Sequence, residues 1–179
     1  MYQRILVPVD GSFTSGRGLE EAMGLAKLSG GEIRLLHVID DLSIALAMEG
    51  YGSPATDLLP ILRERGADLL EQLASTVRAA GVAVSTVQCD NLAGPVHDHV
   101  AAQQRSWDAD TIVMGTHGRR GVGRALMGSS AEQVLREAAV PVLMVRAPEP
   151  QAASQVEQAP VQTPVQVVLP GAALRFEKV

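Results

Sequence analysis

The chain has 179 residues, of which 46% are hydrophobic and 20% charged, and its formal net charge at pH 7 is −5. Such a chain can bury a sizeable core, which excludes a disordered protein. Its acidic balance excludes general electrostatic attraction to nucleic acid or anionic membranes. Without an 18-residue apolar run or an export signal, we expect no membrane insertion and a cytoplasmic location. The single cysteine, Cys89, fits a reducing compartment and is interpreted as a small buried or half-buried residue rather than a reactive one.

Five short apolar runs alternate with four amphipathic segments along the first 146 residues. The runs are rich in β-branched residues and are typical of strands buried on both faces. The predicted strands are residues 4–10, 32–40, 82–89, 110–115 and 140–146. The predicted helices are residues 15–28, 56–80, 94–104 and 129–138.

The second predicted helix has a clear apolar face. Its apolar residues recur at spacings of three, four and seven and therefore share one side of the helix. They are Leu62, Leu69, Leu70, Leu73 and Val77. The charged residues Arg63, Glu64 and Glu71 lie largely off that face, and Pro60 is predicted in the first turn, where its missing N–H costs little.

Strands that alternate with helices predict right-handed crossovers. The expected fold class is therefore α/β, a doubly wound five-stranded parallel sheet with helices on both faces. In such sheets ligands bind outside the carboxyl ends of the strands, at the switch point where the strand order reverses. If the first strand is central, the polar strand exits that flank this point are residues 10–12 and 115–118, and we expect the binding site between them.

The segment GTHGRRGVGRALMGSS, residues 115–130, joins the fourth strand to the last helix. Ser129 and Glu132 match the S-x-x-E capping box, which predicts Ser129 as the N-cap. The helix dipole stabilises an anion by only about 1 kcal/mol, whereas micromolar affinity needs about 8 kcal/mol. The loop itself would have to supply the remainder through backbone N–H groups, serine hydroxyls and arginine side chains.

The glycines of this segment follow neither of two common phosphate motifs. A P-loop is excluded because Gly-Lys-Ser/Thr occurs nowhere in the sequence. A dinucleotide fingerprint is excluded because the first strand ends in Asp-Gly-Ser. The spacing is instead glycine, two residues, glycine, nine residues, glycine and serine, at Gly115, Gly118, Gly128 and Ser129. Glycines here would let the backbone approach phosphate oxygens.

This spacing, with ILVPVDGS at residues 5–12, HVID at 37–40 and VPVLMVR at 140–146, resembles the universal stress protein family, and within it the branch that binds ATP. The resemblance covers residues 1–146 and implies a Rossmann-like domain that binds ATP, ADP or AMP. It implies that Asp10 lies near the ribose and any Mg²⁺, and that Val38 offers its backbone to the adenine. The implied nucleotide-binding residues are Pro8, Val9, Asp10, Val38, Met114, Gly115, Gly118, Arg119, Gly128, Ser129 and Ser130.

The resemblance also implies a homodimer in which the last strand pairs antiparallel across the interface, through Val140, Val142 and Met144. Assembly into a higher oligomer is left as an alternative. The apolar last strand favours such pairing, because an unblocked sheet edge invites another strand.

Two segments depart from a minimal domain. Residues 40–56 form a long connection typical of lids or contact surfaces, and residues 147–179 are expected to form a Pro/Gln-rich linker and an apolar C-terminal segment.

Several polar residues also have simpler interpretations. Asp10 could cap the first helix or turn. His117 lies in the loop without a recognisable partner for general base catalysis. His97 and His99 are two apart on a helix and point to different faces, which disfavours a shared metal site. On its buried strand, His37 is interpreted as a hydrogen-bonded core residue.

Three functions follow from these observations. The preferred one is an adenine-nucleotide-binding protein that acts in the stress response through nucleotide-dependent conformation or partner binding. The alternative is a slow ATPase or phosphoryl-transfer protein that uses Asp10 and Mg²⁺, with Ser129 or Ser130 as acceptor. A third is an interaction module with a vestigial pocket. Phosphoryl transfer needs metal-bridged phosphates and an oriented nucleophile, and one candidate metal carboxylate with no recognisable base favours binding without efficient turnover.

Overall fold

The computed structural model describes residues 1–39, 55–90, 94–116 and 128–146. Within these ranges the strands are β1 (Arg4–Pro8), β2 (Glu32–Ile39), β3 (Val84–Asp90), β4 (Thr111–Gly115) and β5 (Val142–Val145). The helices are α1 (Phe13–Ser29), α2 (Ala55–Ala79), α3 (Val96–Ser106) and α4 (Ser129–Glu137). No helix in these ranges is both long enough and apolar enough to cross a lipid bilayer.

The five strands form one parallel sheet in the order β3-β2-β1-β4-β5. Strand β1 is central, and its register pairs Ile5 with Ile33 of β2 on one side and with Thr111 of β4 on the other. The strand order therefore reverses between β1 and β4, whose carboxyl ends lie at the same edge of the sheet. The predicted fold class and the predicted position of the switch point are confirmed.

Two helices cover each face of the sheet, which explains why the strands are almost continuously apolar. Ile5 and Val7 of β1 point to the face under α1 and α2, and Leu6 points to the face under α3 and α4. The buried helix residues on the first face are Leu19, Ala22 and Ala26 of α1 and Leu70, Ala74 and Val77 of α2. Those on the second face are Val100 of α3 and Ala131 and Val134 of α4.

The predicted apolar face of α2 is confirmed, but its proline lies elsewhere than expected. Leu70 and Val77 are buried, Leu62, Leu69 and Leu73 are half-buried, and Arg63, Glu64 and Glu71 are exposed. Pro60 lies inside the helix, beyond the first turn, because the helix already begins at Ala55. The prediction of a first-turn proline was therefore wrong. At its actual position the proline removes one backbone hydrogen bond of the helix.

Candidate functional site

The carboxyl end of β1 leads into a tight turn closed by side chains. The carboxylate of Asp10 accepts a hydrogen bond from the backbone N–H of Ser12 at 2.9 Å. Gly11 between them has φ +79°, a conformation that favours glycine. Ser12 is the N-cap of α1, and its hydroxyl oxygen accepts the N–H of Ser15 at 3.1 Å. The simpler interpretation of Asp10 therefore holds in part, since Asp10 caps the turn while Ser12 caps the helix.

Sequence reasoning missed the contribution of Ser12, because it started α1 at Ser15 rather than at Phe13. The signal was Ser12 itself, since serine is among the preferred N-cap residues and here precedes an amphipathic run. Ser15 is buried, and its hydroxyl donates to the carbonyl of Ser12 at 3.0 Å. These bonds fix the backbone of the turn and with it the position of Asp10.

The carboxyl end of β4 is tied to β5 and to the start of α4 through Thr116. The N–H of Thr116 donates to the carbonyl of Val145 in β5 at 2.9 Å, and its carbonyl accepts the N–H of Gly128 at 2.9 Å. The second bond joins the residue that follows β4 to the residue that precedes α4, so α4 begins beside the carboxyl end of β4. Thr116 is buried and was not among the predicted binding residues.

Helix α4 begins directly at this closure, with Gly128 as its N-cap. The predicted N-cap, Ser129, is instead the first helical residue, and Gly128 provides no side-chain cap. Glu132 does not reach back to form a capping box: its N–H donates to the carbonyl of Gly128 at 2.9 Å, and its carboxylate accepts from Arg136 at 2.8 Å. The capping-box prediction was therefore wrong.

This start leaves the first turn of α4 suited to an anion. Helix geometry provides no intrahelical partner for the N–H groups of Ser129, Ser130 and Ala131. They lie at the positive end of the helix dipole, beside the switch point. The side chain of Ser129 is exposed and that of Ser130 is half-buried.

Gly115 has a structural reason to be glycine. A Cβ atom at this position would lie 2.8 Å from Cγ2 of Thr14 and 2.9 Å from the backbone carbonyl carbon and oxygen of Thr14. The contact between α1 and β4 is also close at Gly18, where a Cβ atom would lie 3.2 Å from the backbone nitrogen of Gly115. Helix α1 thus packs directly against the end of β4, which brings the β1 turn and the β4 exit into one site.

The remaining predicted residues are more buried. The N–H of Val9 donates to the carbonyl of Leu36 at 2.8 Å, and its carbonyl is bonded to Nδ1 of His37 at 2.8 Å. Val9 is only 3% exposed, so its backbone already serves the fold. The interpretation of His37 as a hydrogen-bonded core residue is confirmed.

Pro8 is half-buried at the end of β1, whereas Val38 and Met114 belong to the core under α3 and α4. These three residues can offer a ligand apolar surface rather than charge. Two further predicted residues, Gly118 and Arg119, lie outside the described residues, as do His117, residues 40–54 and the segment 147–179.

Cys89 of β3 is half-buried, which agrees with its interpretation as a buried or half-buried residue. Burial, together with the nearby carboxylate of Asp90, raises the pKa of its thiol. Less thiolate is then present at neutral pH, which lowers the reactivity of the sulfur. Asp90 itself forms an ion pair with Arg63 of α2, with 3.1 Å between Nε of Arg63 and Oδ2 of Asp90. We assign these residues to the fold rather than to the candidate site.

The fold and site define a class: parallel α/β proteins whose switch point is bordered by an acidic turn on one side and by a helix start without a side-chain cap on the other. Within this class the chain belongs to the universal stress protein family, whose family model matches residues 1–146. The resemblance inferred from the sequence is confirmed.

Individual relatives agree with this assignment. The chain is 32% identical over 150 residues to universal stress protein MJ0531 of Methanocaldococcus jannaschii, covering 83% of this chain and 85% of that protein. The structure of MJ0577 from the same organism superposes with a TM-score of 0.70 at 28% identity, covering 83% of this chain and 98% of that one. A universal stress protein from Archaeoglobus fulgidus, solved in complex with dAMP, superposes with a TM-score of 0.55 at 23% identity, covering 80% of this chain and 98% of that one.

Proposed function

We propose that this universal stress protein binds an adenine nucleotide, with ATP as the preferred ligand. It is proposed to be cytoplasmic and to act in the stress response through nucleotide-dependent conformation or partner binding. The proposed site is the crevice between the Asp10 turn and the start of α4. ADP and AMP share the adenosine and the first phosphate, and they are expected to compete for the same site. The dAMP complex of the Archaeoglobus fulgidus relative supports this ligand class.

The observation that carries the proposal is the start of α4. Gly128 caps the helix without a side chain, and its bond to Thr116 holds the helix start against the end of β4. An anion can therefore replace the missing cap by accepting the N–H groups of Ser129 and Ser130. Hydrogen bonds to charged groups contribute about 1.5–3 kcal/mol each, so several of them account for much of the affinity that the helix dipole cannot supply.

Asp10 is suited to the metal that accompanies nucleoside triphosphates. Magnesium prefers one or two carboxylates together with water and phosphate oxygens. The hydrogen bond from Ser12 fixes the Asp10 carboxylate at the end of β1. In the proposed complex Asp10 holds Mg²⁺, which neutralises phosphate charge when it is bound.

We also propose a homodimer that forms through β5. This strand is confirmed as a sheet edge, and it is apolar over its four residues, Val142–Val145. Edge strands present a row of backbone groups that another strand can pair with. Two copies related by a two-fold axis would bring the same strand together.

Valine at position 128 is expected to weaken ATP binding by about 100-fold, because its side chain would cover the first amides of α4 and cost two hydrogen bonds of about 1.5 kcal/mol each. Gly128 has φ −60° and ψ 141°, a conformation open to valine, so the variant should fold. Isothermal titration with ATP measures the effect. Combining this change with Gly118→Val should remove binding altogether.

The matched control is Gly24→Val. Gly24 is exposed in the middle of α1, and a Cβ atom there meets nothing within 4 Å. This variant should bind ATP as the wild type does. If Gly128→Val also keeps full affinity, the site at the start of α4 is refuted.

Turnover is expected to be slow. With one carboxylate, Asp10, as the candidate metal ligand, we expect ATP hydrolysis far below the typical enzyme rate of about 10 per second. Release of inorganic phosphate from purified protein with Mg-ATP measures it. A rate near that value, lost in Asp10→Asn, would instead establish the ATPase function.

A further inference from the structure

A second group of potential ligands lies at the opposite end of α4 from the proposed nucleotide site. Nε2 of His97 is 3.8 Å from Oδ1 of Asp98 and 3.9 Å from Oε1 of Glu137. These three atoms lie within 4.8 Å of one another. His97 and Asp98 are in the first turn of α3, and Glu137 is the last residue of α4. The cluster therefore joins two helices that are distant in sequence.

We propose that His97, Asp98 and Glu137 bind a divalent transition-metal ion, of which Zn²⁺ is the representative. An imidazole with two carboxylates is a donor set that zinc accepts, and a three-residue zinc site leaves a fourth position for water. Calcium and magnesium prefer oxygen ligands alone, so the imidazole favours a transition metal over them.

The distances fit such an ion after a small adjustment. Tetrahedral zinc with bonds of about 2.0–2.1 Å places its ligand atoms roughly 3.4 Å apart. The two separations from His97, 3.8 and 3.9 Å, are about half an ångström longer. The carboxylates of Asp98 and Glu137 lie within 4.8 Å of each other and have to approach further. The side chains of Asp98 and Glu137 are 58% and 45% exposed and can move by that amount, whereas His97, at 19%, is largely held by its surroundings.

The surroundings of the cluster favour an ordered site over a loose ion pair. His97 and Glu137 line a cleft between α3 and α4 together with apolar side chains that include Val100 and Val134. Gly94 has φ +129°, a conformation that favours glycine, and its missing side chain leaves space beside Oδ2 of Asp98, where a Cβ atom would lie 2.8 Å away.

The metal would connect α3 to the last turn of α4. Binding to the folded state alone stabilises a protein by mass action. At a free Zn²⁺ concentration about 100 times the dissociation constant, the melting temperature should rise by about 5–10 °C. A surface ion pair without metal would show no such dependence on Zn²⁺.

The test is titration of the full chain, stripped with EDTA and free of nucleotide, with Zn²⁺. We expect a site of micromolar affinity that is weakened by about tenfold or more in both His97→Ala and Glu137→Gln, with loss of the thermal shift. Glu137→Gln changes an exposed side chain and should fold normally. Binding of Co²⁺, followed by its visible absorption, reports directly on coordination.

Glu132→Gln is the matched control, because Glu132 is also an exposed carboxylate of α4 but pairs with Arg136. It should keep full Zn²⁺ affinity. Equal affinity in the wild type, Glu137→Gln and Glu132→Gln would overturn the proposal, and so would a wild-type dissociation constant in the millimolar range.

Discussion

Replacing Gly115 with alanine is expected to lower the free energy of unfolding by about 3 kcal/mol, the upper end for overpacking a well-packed site. The new methyl group would lie 2.9 Å from the backbone carbonyl carbon and oxygen of Thr14. Backbone atoms cannot rotate away as the end of a flexible side chain can, so α1 has to shift as a unit. Urea denaturation followed by circular dichroism measures the change.

Gly24→Ala is the control for this prediction. Unlike Gly115, Gly24 has open space around it: it lies in an ordinary helical position on the exposed side of α1, and a Cβ atom there would meet nothing within 4 Å. Alanine there should raise the free energy of unfolding by about 0.5–1 kcal/mol through helix propensity. If Gly115→Ala were as stable as the wild type, the close approach of α1 to β4 would be refuted.

The two glycines at the ends of the loop thus differ in their physical roles. Gly115 is required by the packing of Thr14 against β4, whereas Gly128 leaves a helix start without a side-chain cap. Loss of ATP binding in Gly115→Ala would accompany loss of stability, while Gly128→Val should lose binding and remain folded. Comparing the ATP affinity and the stability of the two variants therefore distinguishes an effect on the packing of the site, in Gly115→Ala, from an effect on its contacts with phosphate, in Gly128→Val.

The sheet could be predicted from the sequence because its signal is repeated and local. Each apolar run is followed by an amphipathic helix, and this alternation with right-handed crossovers leaves few arrangements. The exits of β1 and β4 were polar in the sequence, which placed the site at the reversal of strand order. The strand ends were less accurate: β1 stops at Pro8 and β5 begins at Val142, because pairing with neighbouring strands, rather than composition, sets these limits.

The start of α4 could not be predicted from local pattern alone. Ser129 and Glu132 have the spacing of a capping box, yet the bond from Gly128 to Thr116 fixes the helix start one residue earlier. Glu132 then lies one turn before Arg136 and pairs with it. A contact between residues far apart in the sequence decided between two local options.

The same limit applies to the proposed metal site. Sequence spacing directed attention to His97 and His99, which share a helix but not a face. The third ligand atom of the observed cluster comes from Glu137, on a helix that follows only after β4. Because α3 and α4 pack on the same face of the sheet, the fold brings together residues that no spacing rule connects.

Replacing Leu143 with lysine is expected to convert the proposed dimer to a monomer. Leu143 is in β5, and its side chain is 44% exposed. Lysine on an edge strand is a common means of blocking strand pairing. Two such lysines would face each other near the two-fold axis and repel. Sedimentation velocity at micromolar protein concentration measures the change in mass.

The choice of Leu143 follows from the packing of β5. The interface residues that the resemblance implies, Val140, Val142 and Met144, all pack against the core under α3 and α4. Charges at those positions would weaken the monomer as well, so loss of assembly could not be separated from loss of stability. The exposed side chain of Leu143 avoids that difficulty.

Leu28→Lys is the control for the dimer experiment. Leu28 is 89% exposed near the end of α1, so the variant makes the same change from an apolar to a cationic surface residue. A cation there should also interact favourably with the helix dipole. The proposed interface requires a wild-type dimer, a dimeric Leu28→Lys variant and a monomeric Leu143→Lys variant with unchanged unfolding. A monomeric wild type would refute the dimer itself. A dimer that persists in Leu143→Lys would refute pairing through β5, because the introduced charge would then lie away from the contact between subunits.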